Sequence, residues 1–260
     1  VRDSWITDDM RVIQKDFYPT DLEPLLLENT FDGCVAVQAD QSENETNFLI
    51  ERAEKNSFIK GVVGWVDLRS TSVEDRLAHF SKHSKLKGVR HVVQGEPAGF
   101  LMQKDFLRGI KALEKFNLTY DILIKEHQLE EAIWFVSQFP NQKFVIDHMA
   151  KPQIGKAGKS TWEKHMAILA GFPNAYCKLS GMVTEANWKT WKHEDFTPYL
   201  DSVFESFGTI RLMYGSDWPV CLVAGSYPDQ LSIIEQYLST FSETEKQSIM
   251  GENAIRFYNL

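Results

Sequence analysis

The sequence predicts a parallel α/β protein of the (β/α)8 barrel class, and three observations carry that prediction. Short apolar, β-branched runs begin at residues 34, 61, 88, 119, 144, 176 and 212, a spacing close to the roughly 31 residues per unit of an eight-unit barrel of about 250 residues. Stretches of helical period lie between them, and strand then helix, repeated, means a parallel sheet. Runs such as CVAVQA and KFVIDH are apolar on nearly consecutive residues, as expected of strands covered on both faces.

In chain order, strands are expected at Cys34–Ala39, Gly61–Val66, Gly88–Val93, Thr119–Ile124, Phe144–Asp147, Tyr176–Leu179 and Leu212–Gly215. Helices are expected at Asp21–Asn29, Glu45–Lys55, Val73–His83, Lys104–Phe116, Leu129–Phe139, Trp162–Gly171, Tyr199–Phe207, Tyr227–Phe241 and Ser242–Gly251. Gln153–Ser160 (QIGKAGKS) reads as a βα loop, too short to separate domains, so residues 1–260 are expected to form one barrel domain. Asp8, Asp9, Asp16 and Pro19 interrupt any strand in the first twenty residues. One barrel strand is therefore unaccounted for. Because a barrel abolishes its edges by closure, the expectation is a first strand upstream of Val1, with an opening between the strands at Cys34 and Leu212. The alternative is an incomplete barrel, or one closed by the N-terminal segment.

The 260 residues are 43% hydrophobic and 25% charged, enough for a sizeable core. A net charge of -8 argues against general affinity for nucleic acid or anionic membrane. The sequence has no apolar run of about 18 residues and no signal-peptide pattern at its start. Cys34, Cys177 and Cys221 are odd in number and sit in apolar segments, so they read as buried free thiols of a cytoplasmic protein.

Side chains at the C-terminal ends of barrel strands face the site. That rule selects Gln38, Trp65 and Asp67, Arg90 and His91, Tyr120 and Lys125, His148 and Lys151, Lys178 and Ser180, and Asp217 with Trp218. Asp217, in LMYGSDWP, stands just beyond a strand, where a carboxylate can take a proton from water; the competing role is a helix cap. His148, in FVIDHMAKP, can polarise a carbonyl, ligate a metal or relay a proton, and Lys151 three residues on suits a carboxylate or hydroxyl. Asp147 reads as inward-packing. Arg90 and His91 adjoin on a strand, so only one is expected to reach the site. Tyr120 reads as core. Trp65, Trp188, Trp191 and Trp218 could stack on sugar-like rings or serve the core. Phosphate-loop, GxSxG, CxxC and HExxH motifs are absent from the sequence.

Taken in order, WITDDM, GVVGWVDL, GVRHVVQ, FVIDHMAKP, CKLSGMVTEA, RLMYGSDWPVC and GENAIRFYNL span almost the whole chain. Together they resemble the amidohydrolase-related family in its sugar-lactone hydrolase branch (L-fuconolactone hydrolase-like), with 2-pyrone-4,6-dicarboxylate lactonase a more distant relative. The resemblance implies an amidohydrolase-type barrel in which an aspartate after the last strand activates water and a histidine after the sixth binds substrate or metal. Asp217 and His148 occupy those positions. The family pattern also carries a His-x-His pair upstream of the WITDDM-like segment, which this sequence lacks. His148 and Asp217 alone are fewer than the three or four protein ligands of a stable zinc site, so the cofactor expectation is none required, or one zinc-like divalent metal in the intact protein.

The expected activity is opening of a sugar-acid lactone by water. Asp217 and His148 are the catalytic pair, and Arg90, His91, Lys151, Gln38, Trp65 and Trp218 the substrate-binding set. The expected partner is a small sugar lactone. The alternatives are a metal-dependent amidohydrolase or decarboxylase on the same barrel, and a catalytically inactive sugar-acid-binding module.

Overall fold

A computed structural model describes residues 5–155 and 159–260. Its centre is a parallel sheet of seven strands among the described residues: β1 (Cys34–Val37), β2 (Ile59–Gly64), β3 (Leu86–His91), β4 (Thr119–Ile122), β5 (Phe144–Ile146), β6 (Ala175–Leu179) and β7 (Leu212–Tyr214), paired in chain order. A helical connection returns the chain after each strand: α2 (Glu43–Lys55), α3 (Val73–Phe80), α4 (Lys104–Leu113), α5 (Leu129–Ser137), α6 (Lys159–Ala170), then α7 (Met182–Glu185) with α8 (His193–Phe207). Helix α1 (Pro19–Glu28) precedes β1, and α9 (Tyr227–Tyr237), α10 (Glu243–Gln247) and α11 (Asn253–Tyr258) follow β7.

Local chemistry explains these boundaries. Ser42, Ser226 and Ser242 each accept a backbone N–H in the first turn of the helix that follows, satisfying a donor left free at a helix start. Helix α4 buries Phe106, Ile110 and Leu113 on one face. Its Gly109 lies so close to the Leu68 carbonyl that an added Cβ would sit 2.0 Å from that oxygen. The absence of a side chain there lets the helix approach the β2 layer.

The sheet is curled rather than flat. On a flat sheet β1 and β7 would lie six strand intervals apart, roughly 29 Å at the usual spacing of about 4.8 Å. Here Phe31, three residues before β1, stacks on Tyr214 of β7 with ring centroids 5.6 Å apart. Cys34, Tyr214 and Trp218 pack against one apolar cluster with Leu26 of α1 and Tyr227 of α9. The opening expected between the Cys34 and Leu212 strands is therefore bridged by side chains of α1 and Phe31, which bury apolar surface there. This is a barrel-like arrangement of parallel strands.

The seven strand runs fall where the sequence places them, with β2, β3 and β6 starting one or two residues early. Four helices start earlier than expected, α1 at Pro19 and α2 at Glu43 by two residues, α6 at Lys159 by three and α8 at His193 by six. Lys159 and Ser160 are thus helical rather than loop, and residues 156–158 of that expected loop lie outside the described residues. The opposite end of the barrel is plugged by the C-terminal segment, where Phe257 and Tyr258 pack with Val63, Val145 and Met213. Among the described residues no helix is long and apolar enough to cross a membrane.

Candidate active site

His148 is set by an unusual backbone. After β5 the chain makes a turn in which His148, Met149, Ala150 and Lys151 all have φ between 51° and 58°. Each such non-glycine residue costs on the order of 1 kcal/mol, and such strain persists only where the surroundings over-determine it. Here the restraints are visible: Met149 and Ala150 are fully buried, and the Trp162 indole N–H donates to the Met149 carbonyl at 2.8 Å. Gly181, at φ 64°, makes room for the imidazole, since a Cβ there would lie 2.7 Å from His148 Cγ and Nδ1. Asp217 also has positive φ, 53°, in the turn after β7, followed by a cis peptide between Trp218 and Pro219.

These two turns bring His148 Nε2 to 3.7 Å from Asp217 Oδ1, with only 12% and 15% of the side chains exposed. On its other side, His148 Nδ1 is 2.8 Å from Ser180 Oγ. Lys151 Nζ lies 3.5 Å from Glu185 Oε1 at the same mouth. Beneath them is a charged layer inside the barrel. Lys178 Nζ meets Asp121 Oδ2 at 2.5 Å and Asp147 Oδ1 at 2.7 Å, and Arg90 donates to Asp147 Oδ2 at 2.9 Å and to the Gln38 carbonyl. The phenol of Tyr258 donates to Asp121 Oδ2 at 2.8 Å, which closes the layer from below.

Burial dominates the electrostatics. It pushes the Asp217 carboxyl up to about 7, against the pull of Lys151 and Arg90. It pushes the His148 imidazole down to about 3; Asp147 opposes this, while Lys151, Arg90 and Lys178 add to it. Burial also works against charge on Asp147 and Lys178, but the summed attraction of opposite charges outweighs it: Lys178 with Arg90 keeps Asp147 below the usual carboxylate range, and Asp121 with Asp147 keeps Lys178 above the usual ammonium value. The result is a neutral imidazole beside a carboxyl that titrates near neutrality.

The expected residues divide into two groups. Asp217, His148 and Lys151 converge at the mouth, Arg90 and Gln38 lie in the layer beneath, and Trp218 borders the site with its ring edge-on to Phe17 at 5.1 Å. His91 and Trp65 are placed elsewhere. The His91 ring stacks on Phe100 at 4.7 Å, its Nε2 is 2.8 Å from Glu96 Oε1, and its Nδ1 accepts from the Trp65 indole at 3.3 Å. Alternation along β3 sends Arg90 into the barrel and His91 outward toward α4, so His91 and Trp65 pair with each other away from His148 and Asp217. Arg90 and Gln38 bond to each other's backbone or to Asp147, so they brace the interior before they meet any ligand. Trp188 and Trp191 donate to the Thr184 and Ala224 carbonyls and tie the mouth loops together. Glu185 escapes the sequence reading, because it sits on a one-turn helix beyond a loop, where no strand-end rule applies.

The fold and this cluster define a barrel-like α/β protein with a buried carboxyl and imidazole facing each other at the C-terminal ends of its strands. A family model described as Amidohydrolase matches residues 6–260, and the chain belongs to that family. An L-fucono-1,5-lactonase of Burkholderia multivorans is 36% identical over 268 residues, covering 98% of this chain and 90% of that protein. One of Burkholderia ambifaria is 34% identical over 264 residues, with the same coverage of 98% and 90%. The crystal structure of an amidohydrolase from Burkholderia multivorans with bound Zn superposes with a TM-score of 0.96 at 36% identity, covering 99% of this chain and 94% of that one.

A zinc ion can be tested against the donors present. His148 Nε2 and Asp217 Oδ1 face each other, but among the described residues no group of three His, Cys, Asp or Glu side chains converges as a metal site. Zinc usually takes at least three protein ligands, so the described donors do not by themselves fit it.

Proposed function

We propose that this protein hydrolyses the ester of a sugar-acid lactone of the L-fuconolactone type. The single observation that carries the proposal is the 3.7 Å approach of Asp217 Oδ1 to His148 Nε2 within one buried mouth. The names of the two Burkholderia relatives support the same chemistry.

In this reading Asp217, as carboxylate, accepts a proton from water as its oxygen bonds to the ring carbonyl carbon. The carbonyl oxygen becomes an oxyanion, and the His148 imidazole and the Lys151 ammonium stabilise it. Collapse breaks the ring C–O bond, the leaving oxygen takes the proton from Asp217, and the product is an open hydroxy acid. Lys151 and Lys178 each face a carboxylate, and Arg90 is ion-paired with Asp147. That matching of charges favours an uncharged, hydroxyl-rich lactone over a dicarboxylate.

The test is acid release from L-fucono-1,5-lactone at constant pH, compared with L-rhamnono and D-sugar lactones and with Asp217→Asn. Failure to open any of these lactones would defeat the proposal. The zinc in the Burkholderia multivorans structure favours a second reading, a hydrolase dependent on one divalent ion. Loss of turnover on chelation and its return with zinc would select that reading.

A further inference from the structure

We infer that Ser180 is a positioning residue that fixes His148 in its Nε2–H tautomer, so that the ring meets the reacting carbonyl as a hydrogen-bond donor. The inference rests on the lactonase reading for its catalytic consequence and on geometry alone for the tautomer.

Hydrogen-bond accounting supplies the first argument. Ser180 is 2% exposed, and among the described residues its hydroxyl has one side-chain partner, His148 Nδ1 at 2.8 Å. If Nδ1 carried the ring proton, Ser180 Oγ would have to accept, and its own O–H would be buried with no described acceptor. Leaving a buried donor unsatisfied costs about 1–3 kcal/mol. If Ser180 donates instead, its proton is used and Nδ1 supplies the lone pair. The ring proton then resides on Nε2.

The opposite edge of the ring gives a second, independent argument. Nε2 points toward Asp217 Oδ1 at 3.7 Å. An N–H directed at a carboxylate is attracted to it, whereas a lone pair in that place is repelled. The ring has little freedom to exchange its edges. His148 lies in the left-handed turn after β5, and the space beside its Cγ and Nδ1 exists because residue 181 is glycine. Both ring nitrogens are thus assigned by neighbours on different elements, Ser180 after β6 and Asp217 after β7.

The consequence is chemical. A lactone carbonyl gains negative charge on oxygen as water adds, and a donor aimed at that oxygen lowers the barrier. The other tautomer would aim a lone pair at the same charge. Ser180, without touching substrate, would decide which of these the ring presents.

The test is the nitrogen NMR signature of His148 in the full chain as purified, labelled with 15N-histidine and assigned by the signal that disappears in His148→Gln. The expected result near pH 7 is a protonated Nε2 and a bare Nδ1. A bare Nε2 overturns the inference, whether the proton sits on Nδ1 or a metal occupies Nε2. In Ser180→Ala the Nε2–H population should fall, and kcat for the lactone should drop about tenfold or more with KM nearly unchanged. A folded Ser180→Ala with unchanged tautomer or unchanged kcat also overturns it. The two readings fail separately: an Nε2–H ring in a protein that opens no lactone leaves the tautomer standing and removes the lactonase, whereas a bare Nε2 in an active lactonase does the reverse.

Discussion

His148 Nε2 and Asp217 Oδ1 stand 3.7 Å apart, longer than a hydrogen bond and close enough for one substrate atom to touch both. Each group is biased toward its uncharged form by burial, so their protonation states are set by the fold as much as by each other.

Asp217→Asn is expected to lower lactone turnover by roughly 10²-fold or more, the lower range for loss of a general base. The folded-state value of Asp217, about 7, lies above the ordinary 3.8, so the folded protein holds this proton more tightly than the unfolded chain does. Ionising it costs stability as pH rises through that window. That cost builds from pH 3.8 and is complete near pH 7, and asparagine removes it, so the melting temperature should rise relative to wild type at pH 8 and rise by clearly less at pH 5. Equal shifts at both pH values would contradict the buried-carboxylate account.

The pH profile of kcat/KM in metal-free protein should climb as Asp217 loses its proton, with a midpoint near 7. His148, held down to about 3, should add no second break above pH 5. A profile flat from pH 5 to 9 would remove Asp217 as the base.

Exhaustive chelation should leave most of the turnover intact, because among the described residues the two facing donors fall short of the three that a catalytic zinc usually requires. Metal analysis before and after treatment, alongside acid release, checks this.

Gly181→Ala should impair turnover more than folding. It adds a Cβ 2.7 Å from the His148 ring at a residue with φ of 64°, so the ring must move. Circular dichroism and kcat together distinguish a displaced ring from an unfolded chain, and wild-type kcat would show that the ring does not depend on this space.

Tyr258→Phe keeps the aromatic packing at the barrel floor and deletes the phenol that donates to buried Asp121 at 2.8 Å. The expected loss is about 1–3 kcal/mol, the cost of leaving a buried acceptor short of a partner. A denaturation midpoint equal to wild type would show that the phenol contributes nothing to the floor.

Much of the fold is legible without coordinates, because buried parallel strands leave continuous apolar runs and the helices between them keep a 3.6-residue period. The early start of α8 was hidden by its polar first turn and by Pro198, which lies inside the helix. The candidate site was legible in its two principal members, since Asp217 and His148 each follow a strand. It was less so in its supports. Ser180 and Lys178 share the strand-end position without revealing their partners, Asp121 and Asp147 read as ordinary interior carboxylates, and Glu185 carries no pattern.

The sequence by itself determined the strand–helix alternation, the family resemblance and the set of side chains available at the strand ends. These follow from local hydrophobicity and from order along one chain. Only the tertiary structure decided which of two adjacent residues entered the barrel, placing Arg90 against Asp147 and His91 against Phe100. It alone brought His148, Ser180 and Asp217 from three different strand ends into contact range. The reason is that side-chain direction on a strand and the curl of the sheet depend on what packs on each face, and burial, which moves Asp217 and His148 toward neutrality, exists only once those faces are closed.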